Sequence, residues 1–426
     1  RGRDYFSVFG KFKVPRTAYQ RCGHPSVMPL DAQAELPERC YSYLLQEWMD
    51  HLSIRDSFQE SSGTLSTLLG IQVSASRFEV VNRDSINQSG YEQFYAEKAP
   101  PLPDLEGAIQ VLEFDGKGIP VIKDEAAKLK ARLGKGEKRQ KKKEAMVGVS
   151  YTVAPHVRRA DEVAERLVSP EKVEQAAAQD TETSSTTPTA QHIRRLASLE
   201  QPKQAVVEEI VRDATARDPK AQRPWVVVMD GALGLWALVA SVLKGIEYVG
   251  VLDIIHVMEY LWDVGNALCG DGTDTAKRWV QAQLLKLLQG HVGRVIGGLK
   301  QTMSKRQLTA SQQKAVTQAI TYFENHRKWM RYDEYLKAGY PIGSGVVEST
   351  CGHTVKDRME GSGRRWSIDG AESTLLLRSI MTSHDWDAYW ESHMQQEHTR
   401  LYGEFVEALP IADAYHEPPS EQTVGM

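Results

Sequence analysis

PWVVVMDGALGLWALVASVL, from Pro224 to Leu243, is the stretch that decides the fold class. Its first half is an unbroken apolar run of mostly β-branched residues that reaches Asp230, and such a run between Pro and Asp-Gly reads as a strand buried on both faces. From Gly231 onward the apolar residues recur at helical period. A strand leading directly into a helix is half of a βα unit, which predicts an α/β protein.

The same pattern recurs on either side. Upstream, AIQVLEF (108–114) reads as a strand ending at Asp115, again followed by Gly; GKGIPVI (116–122) reads as a turn and a second strand, and MVGVSYTVAP (146–155) as a third, together forming a meander. Downstream, YVGVLDII (248–255) ends near Asp253 and His256 and leads into the helical pattern VMEYLWDVGNAL. From there to about Tyr335 only helix is expected. The chain then enters GYPIGSGVVESTCGHTVKDRMEGSGRRWS (339–367), where Gly339, Gly343 and Gly345 mark a loop and a helix is expected to open just before Glu348.

Towards the N-terminus, the Pro-rich break APPLPD (99–104) sets off residues 1–104 as a separate helical module. Within it, Asp56–Leu69 reads as a helix, Gly70 as a turn, and Ser74–Asn82 as a second helix carrying Arg77, with Arg83 just beyond. That layout suits a helix-turn-helix whose second helix enters a major groove, although an ordinary helical pair would share it. The polar stretch Glu171–Thr189 is expected to be a linker with a helix on each side. The expected organisation is therefore a module at 1–104, the first part of a catalytic core at 105–256, an all-helical insertion at 257–338, the last part of the core at 339–395, and a tail at 396–426.

Bulk properties bound the class. The 426 residues, 41% hydrophobic and 25% charged, describe an ordinary globular protein of two to four domains. No apolar run reaches the roughly 20 residues of a bilayer span, so no membrane partner is expected. The four cysteines are widely spaced without a Cys-x-x-Cys pair, which argues against a disulfide framework and fits a reducing compartment. The chain opens on Arg1 with no charged-then-apolar leader, so no export signal is visible and the N-terminus is expected to be trimmed or to lack an upstream segment. A cytoplasmic location is expected. The formal net charge is only −4, yet Lys123–Lys143 (KDEAAKLKARLGKGEKRQKKK) gathers many cations, Lys141, Lys142 and Lys143 among them. Such a run suits phosphate contacts or, equally, a solvated hairpin tip.

The chemistry is carried by acids. Asp115 and Asp230 each end an apolar strand and precede Gly, so both carboxylates would project from the carboxyl edge of a sheet, where open α/β folds bind ligands. Glu348 opens a helix after a glycine-rich loop. Three convergent carboxylates suit Mg²⁺ or Mn²⁺, and a pair of such ions serves phosphodiester chemistry. Singly, each Asp-Gly also fits a plain turn.

This order, strand-Asp115-Gly, strand-Asp230-Gly, Asp253-x-x-His256, a helical stretch, then GSGxxE ending at Glu348, resembles the DDE transposases of insertion sequences, of the ISKra type related to the Mutator-like superfamily. The likeness spans about Leu105 to Trp390, and its most specific piece begins at GSGVVESTCGHTVKDRMEGSGRRWS. It implies a ribonuclease H-like mixed sheet with Asp115 on the first strand, Asp230 on the fourth and Glu348 on a helix after an all-α insertion. It further implies catalytic and metal-binding roles for Asp115, Asp230 and Glu348, two Mg²⁺ (or Mn²⁺) ions, and accessory roles for Asp253 and His256. Lys356, Arg358, Arg364 and Arg365 would lie against the phosphate backbone of double-stranded DNA, and Trp366 would stack on a base or anchor a helix. The partners would be transposon terminal inverted repeats and target DNA, with a homodimer on DNA, and the cytoplasmic location would be bacterial and nucleoid-associated. Related sequences often carry paired cysteines near the N-terminus; here only Cys22 and His24 stand there. A non-catalytic DNA-binding derivative and a structure-selective nuclease on the same fold are the competing readings.

Overall fold

The computed structural model describes residues 2–408 apart from 21, 22, 24, 25, 27, 87, 103–105, 130–140, 170–187 and 362. Cys22 with His24, most of the Lys-rich run, and most of the expected 171–189 linker fall outside that set. The chain divides into two compact units, residues 1–97 with 385–426, and residues 98–384.

The first unit opens with an antiparallel hairpin, β1 (Gly2–Ser7) and β2 (Gly10–Pro15), so it is not purely helical as expected. The alternation in GKFKVP is too short to stand out in the sequence. Helices α1 (Pro29–Gln33), α2 (Tyr43–Ser53), α3 (Phe58–Leu69), α4 (Ala75–Asp84) and α5 (Gln88–Glu97) follow. Helices α2, α3 and α4 close over a shared core of Leu45, Met49, Leu65, Phe78 and Val81. Ser57 and Glu60 form a reciprocal capping box that starts α3, and Gly70 ends it in the left-handed region at φ 68°, which a residue without Cβ adopts at little cost. The helix Trp386–Ala408 also belongs to this unit: Trp386 Nε1 donates to Glu47 (3.1 Å) and Tyr389 donates to the Ser85 carbonyl (2.9 Å). The expected boundary at 395/396 falls inside this helix, whose buried Trp386, Tyr389 and Trp390 lie in the first unit.

The second unit is built on a five-stranded mixed sheet. Strand β3 (Ile109–Pro120) is followed by α6 (Lys123–Leu129), β4 (Lys142–Val153), α7 (Ala160–Val168), β5 (Gln191–Ser198), α8 (Lys203–Arg217), β6 (Trp225–Met229), α9 (Leu233–Val242) and β7 (Val249–Leu252). The spatial order is β5-β4-β3-β6-β7, antiparallel through β5, β4 and β3 and parallel through β3, β6 and β7. That arrangement is consistent with a ribonuclease H-like fold. Five helices follow β7: α10 (Ile254–Cys269), α11 (Asp274–Leu288), α12 (Val292–Lys305), α13 (Ala310–His326) and α14 (Tyr332–Ala338). The chain then forms α15 (Gly345–Thr350), a π-helical turn at Cys351–Lys356, a last turn at Asp357–Met359, and α16 (Ile368–Thr382).

Two strand expectations need correction. The predicted second strand is not separate, because β3 runs unbroken through Asp115 to Pro120, paired with β4 throughout; Gly116 and Gly118 are strand residues, not a turn. The segment after the linker is the strand β5 rather than a helix. Its charged residues disguise it: buried Arg194 pairs with Glu209 of α8 at 2.6 Å.

Candidate functional site

The sheet register brings the acids together. In the parallel part, Phe114 lies opposite Met229, and Met229 opposite Leu252. The next residue on each strand line is an aspartate, so Asp115, Asp230 and Asp253 form one row, just past the carboxyl ends of β6 and β7 and within the longer β3. Glycine at 116 and 231 advertised the first two; the third is followed by Ile254 and carries no such mark.

Helix α15 delivers the fourth acid over this row. Buried Glu113, two residues before Asp115 and therefore on the same face of β3, accepts a hydrogen bond from the Val347 backbone N–H at 2.7 Å. Asp115 Oδ2 accepts from Cys351 Sγ at 3.3 Å, a contact placed by the π-helical turn directly after α15. Wide turns of this kind recur inside helices at functional sites. Glu348 lies between Val347 and Cys351, on the exposed side of the helix, and its Oε1 accepts from the Ser344 hydroxyl at 3.1 Å.

Asp253 organises the opposite flank. Wholly buried, it caps α10 by accepting from the His256 backbone N–H (3.1 Å), pairs with His256 Nδ1 (2.6 Å), and accepts from the Ser344 backbone N–H (3.0 Å). The ligand atoms of Asp253, His256 and Glu348 all lie within 4.8 Å of one another, spacing compatible with a divalent cation. On the far side, Asp230 Oδ1 accepts from the Ala232 N–H (3.0 Å), and its carbonyl accepts from Trp236 Nε1 (2.7 Å).

The electrostatics are those of a place that awaits positive charge. Burial, Asp253 and Asp115 all raise the Glu348 carboxyl, while His256 and the Ser344 hydroxyl pull it back. The hydrogen bond from His256 to Asp253 pushes the imidazole up to about 9 against its partial burial, so a cation ligated by His256 would have to displace its proton. Burial pushes Glu113 up to about 8. A row of carboxylates facing a single histidinium repels itself, and hard cations relieve such repulsion through oxygen ligands.

The remaining sequence-derived residues divide. Lys141, Lys142, Lys356 and Arg365 are exposed, while Lys143 and Arg364 are half-buried. Lys142 pairs with Glu360 at 2.5 Å. Arg358 and Trp366 are buried: the guanidinium carbon stands 4.5 Å from the ring centroid, and the indole N–H donates to the Met359 carbonyl at 3.1 Å. These two therefore pin the segment after the glutamate helix and offer no open surface to a base or phosphate. Glu113, Ser344 and Cys351 join the site without having been singled out by the sequence; the one available signal is Glu113, a carboxylate inside the apolar run VLEF.

No family model and no curated protein matches this chain. Among solved structures, the Drosophila P element transposase strand transfer complex aligns over 85% of this chain and 86% of that one, at 7% identity and a TM-score of 0.26. That likeness is too slight to establish a shared fold. Among the described residues, no helix is long and apolar enough to cross a membrane.

Proposed function

We propose that this chain is a metal-dependent DNA transposase of the DDE type, cleaving at transposon ends and joining the freed 3′-hydroxyl to target DNA. The observation that carries the reading is the row of Asp115, Asp230 and Asp253 with Glu348 placed over it by a helix that arrives after five others. Oxygen donors on adjacent elements fit Mg²⁺ or Mn²⁺. Bound ions would activate the attacking oxygen and stabilise the leaving one.

The chain's own residues take distinct parts. In this reading Asp115, Asp230 and Glu348 would hold the cations, and Asp253, whose oxygens accept from Ser344 and His256 beside Glu348, would border the same site. Asp253 keeps His256 charged and oriented, and the imidazolium suits a phosphate oxygen of the strand being cut. Exposed Lys356 and Arg365, just beyond the glutamate helix, suit the flanking backbone. In the N-terminal unit, three packed helices with a glycine turn between α3 and α4 support a helix-turn-helix, with Ser74, Ser76 and Arg77 exposed at the start of α4.

The test uses DNA carrying the inverted repeats that flank the gene, with Mg²⁺ supplied. Asp115→Ala, Asp230→Ala and Glu348→Ala should each abolish cleavage while leaving repeat binding intact; a variant that still cleaves removes its residue from the site. Pre-cut ends incubated with a supercoiled plasmid should be joined to it. Cleavage without joining would make the protein a nuclease.

A further inference from the structure

We infer that Glu113 is a positioning residue for Glu348, acting as a cap supplied to α15 from the sheet; this rests on the metal-site reading of Glu348 above. Helix α15 needs such help. Its own cap residue, Ser344, makes no side-chain capping hydrogen bond, since its hydroxyl is turned to Glu348 Oε1. The first backbone N–H groups of a helix have no partner within it. One of them, on Val347, is taken by Glu113 Oε2 at 2.7 Å, and the other Glu113 oxygen accepts from the Tyr151 hydroxyl at 2.7 Å.

Both supports are rigid. Glu113 and Tyr151 stand on paired strands β3 and β4, Glu113 is fully buried and Tyr151 is 3% exposed. Val347 is itself buried, so the helix meets the sheet at this point and the next residue, Glu348, faces outward. A fully buried carboxyl in the strand Ile109–Phe114 is a destabilising choice where only packing is needed. Its two hydrogen bonds give that choice a purpose, namely to fix the helix that carries a metal-binding carboxylate. Outer partners of this kind change metal affinity by about 10- to 100-fold when removed.

The test uses the full chain and three variants. Glutamine can accept from Val347 N–H through its oxygen and donate to Tyr151 through its amide, so Glu113→Gln should bind Mn²⁺ within about threefold of wild type. Glu113→Leu, of similar size but without the acceptor, should bind Mn²⁺ about 10- to 100-fold more weakly. It should also show faster amide exchange confined to residues 345–356. Tyr151→Phe, which keeps the ring and removes one of the two partners, should show the same exchange change in smaller degree and carries the test should the leucine variant fail to fold. Wild-type Mn²⁺ affinity together with wild-type exchange at 345–356 in Glu113→Leu, or in Tyr151→Phe if it stands in, overturns the inference. If the wild-type protein itself binds no Mn²⁺, the proposed function falls, and the exchange data alone then judge whether Glu113 holds the helix.

Discussion

At the scale of single residues, Asp230 is held by what its neighbour lacks. A Cβ on Gly231 would stand 2.3 Å from Tyr322 Cε2, on a ring that is stacked on Tyr260 with centroids 4.0 Å apart and so has little room to yield. His326, four residues along α13, makes a hydrogen bond to the Gly231 carbonyl through Nε2 at 2.9 Å. Gly231→Ala should therefore lower stability by about 1–3 kcal/mol, as overpacking does, and weaken Mn²⁺ binding by moving Asp230. Gly234, three residues on, has open space around it, so Gly234→Ala should melt at or above the wild-type temperature. Thermal melts of the pair decide the matter: equal melting of Gly231→Ala and wild type would mean that the ring gives way. Read as sequence, Asp-Gly at 230–231 shows a strand ending beside an acid. That the glycine makes room for a tyrosine some ninety residues later is a fact of packing alone.

At the scale of elements, the strongest local signals held and the weaker ones yielded to context. The capping box at Ser57 and Glu60 and the left-handed Gly70 make the boundaries of α3 legible from composition, and α4 begins where Ser74 suggested. The sequence pattern ends β3 at Asp115 because its glycines resemble a turn, whereas pairing with β4 carries it five residues further. Strand β5 is hidden in the sequence because a buried Arg194 makes sense in a strand only once Glu209 of helix α8 is beside it. Helix α4 carries its own test. Arg77 is exposed near its start, while Arg83 near its end pairs with Glu79 at 3.4 Å. Arg77→Ala should weaken repeat binding by about 1–3 kcal/mol if the side chain reads a base edge, with discrimination lost at one position. A uniform loss across sequences, with the salt dependence reduced by about one ion, would assign it to a phosphate instead. Unchanged binding of both specific and random DNA would exclude α4 from the interface.

At the scale of the whole molecule, buried acids should shape stability against pH. Asp50 is fully buried on α2; Asn82 and Ser85 stand beside it, yet neither of its oxygens completes a hydrogen bond, and burial pushes it up to about 8. Its folded value lies above its unfolded value near 3.8, so the folded chain holds a proton that the unfolded chain has released. The stabilising contribution is complete below about pH 4 and is lost as pH rises towards 8, at up to about 1.4 kcal/mol per unit. Asp50→Asn should flatten that decline and raise the melting temperature at pH 8 relative to wild type. Parallel stability curves for the two proteins between pH 5 and 8 would show that Asp50 does not titrate in this window.

What the amino-acid sequence determined by itself was local: the valine-rich strand into Asp230, the helical run after His256, the glycine loop before Glu348, and the helix pair around Gly70. Each is written in neighbouring residues, whose periodicity and turn chemistry act over a few positions. Only the tertiary structure decided that Asp253 joins Asp115 and Asp230 in one row, that Glu113 reaches across to cap the glutamate helix, and that Arg358 and Trp366 turn inward. Those outcomes depend on strand register and on contacts between residues as much as 234 positions apart, which no local pattern encodes.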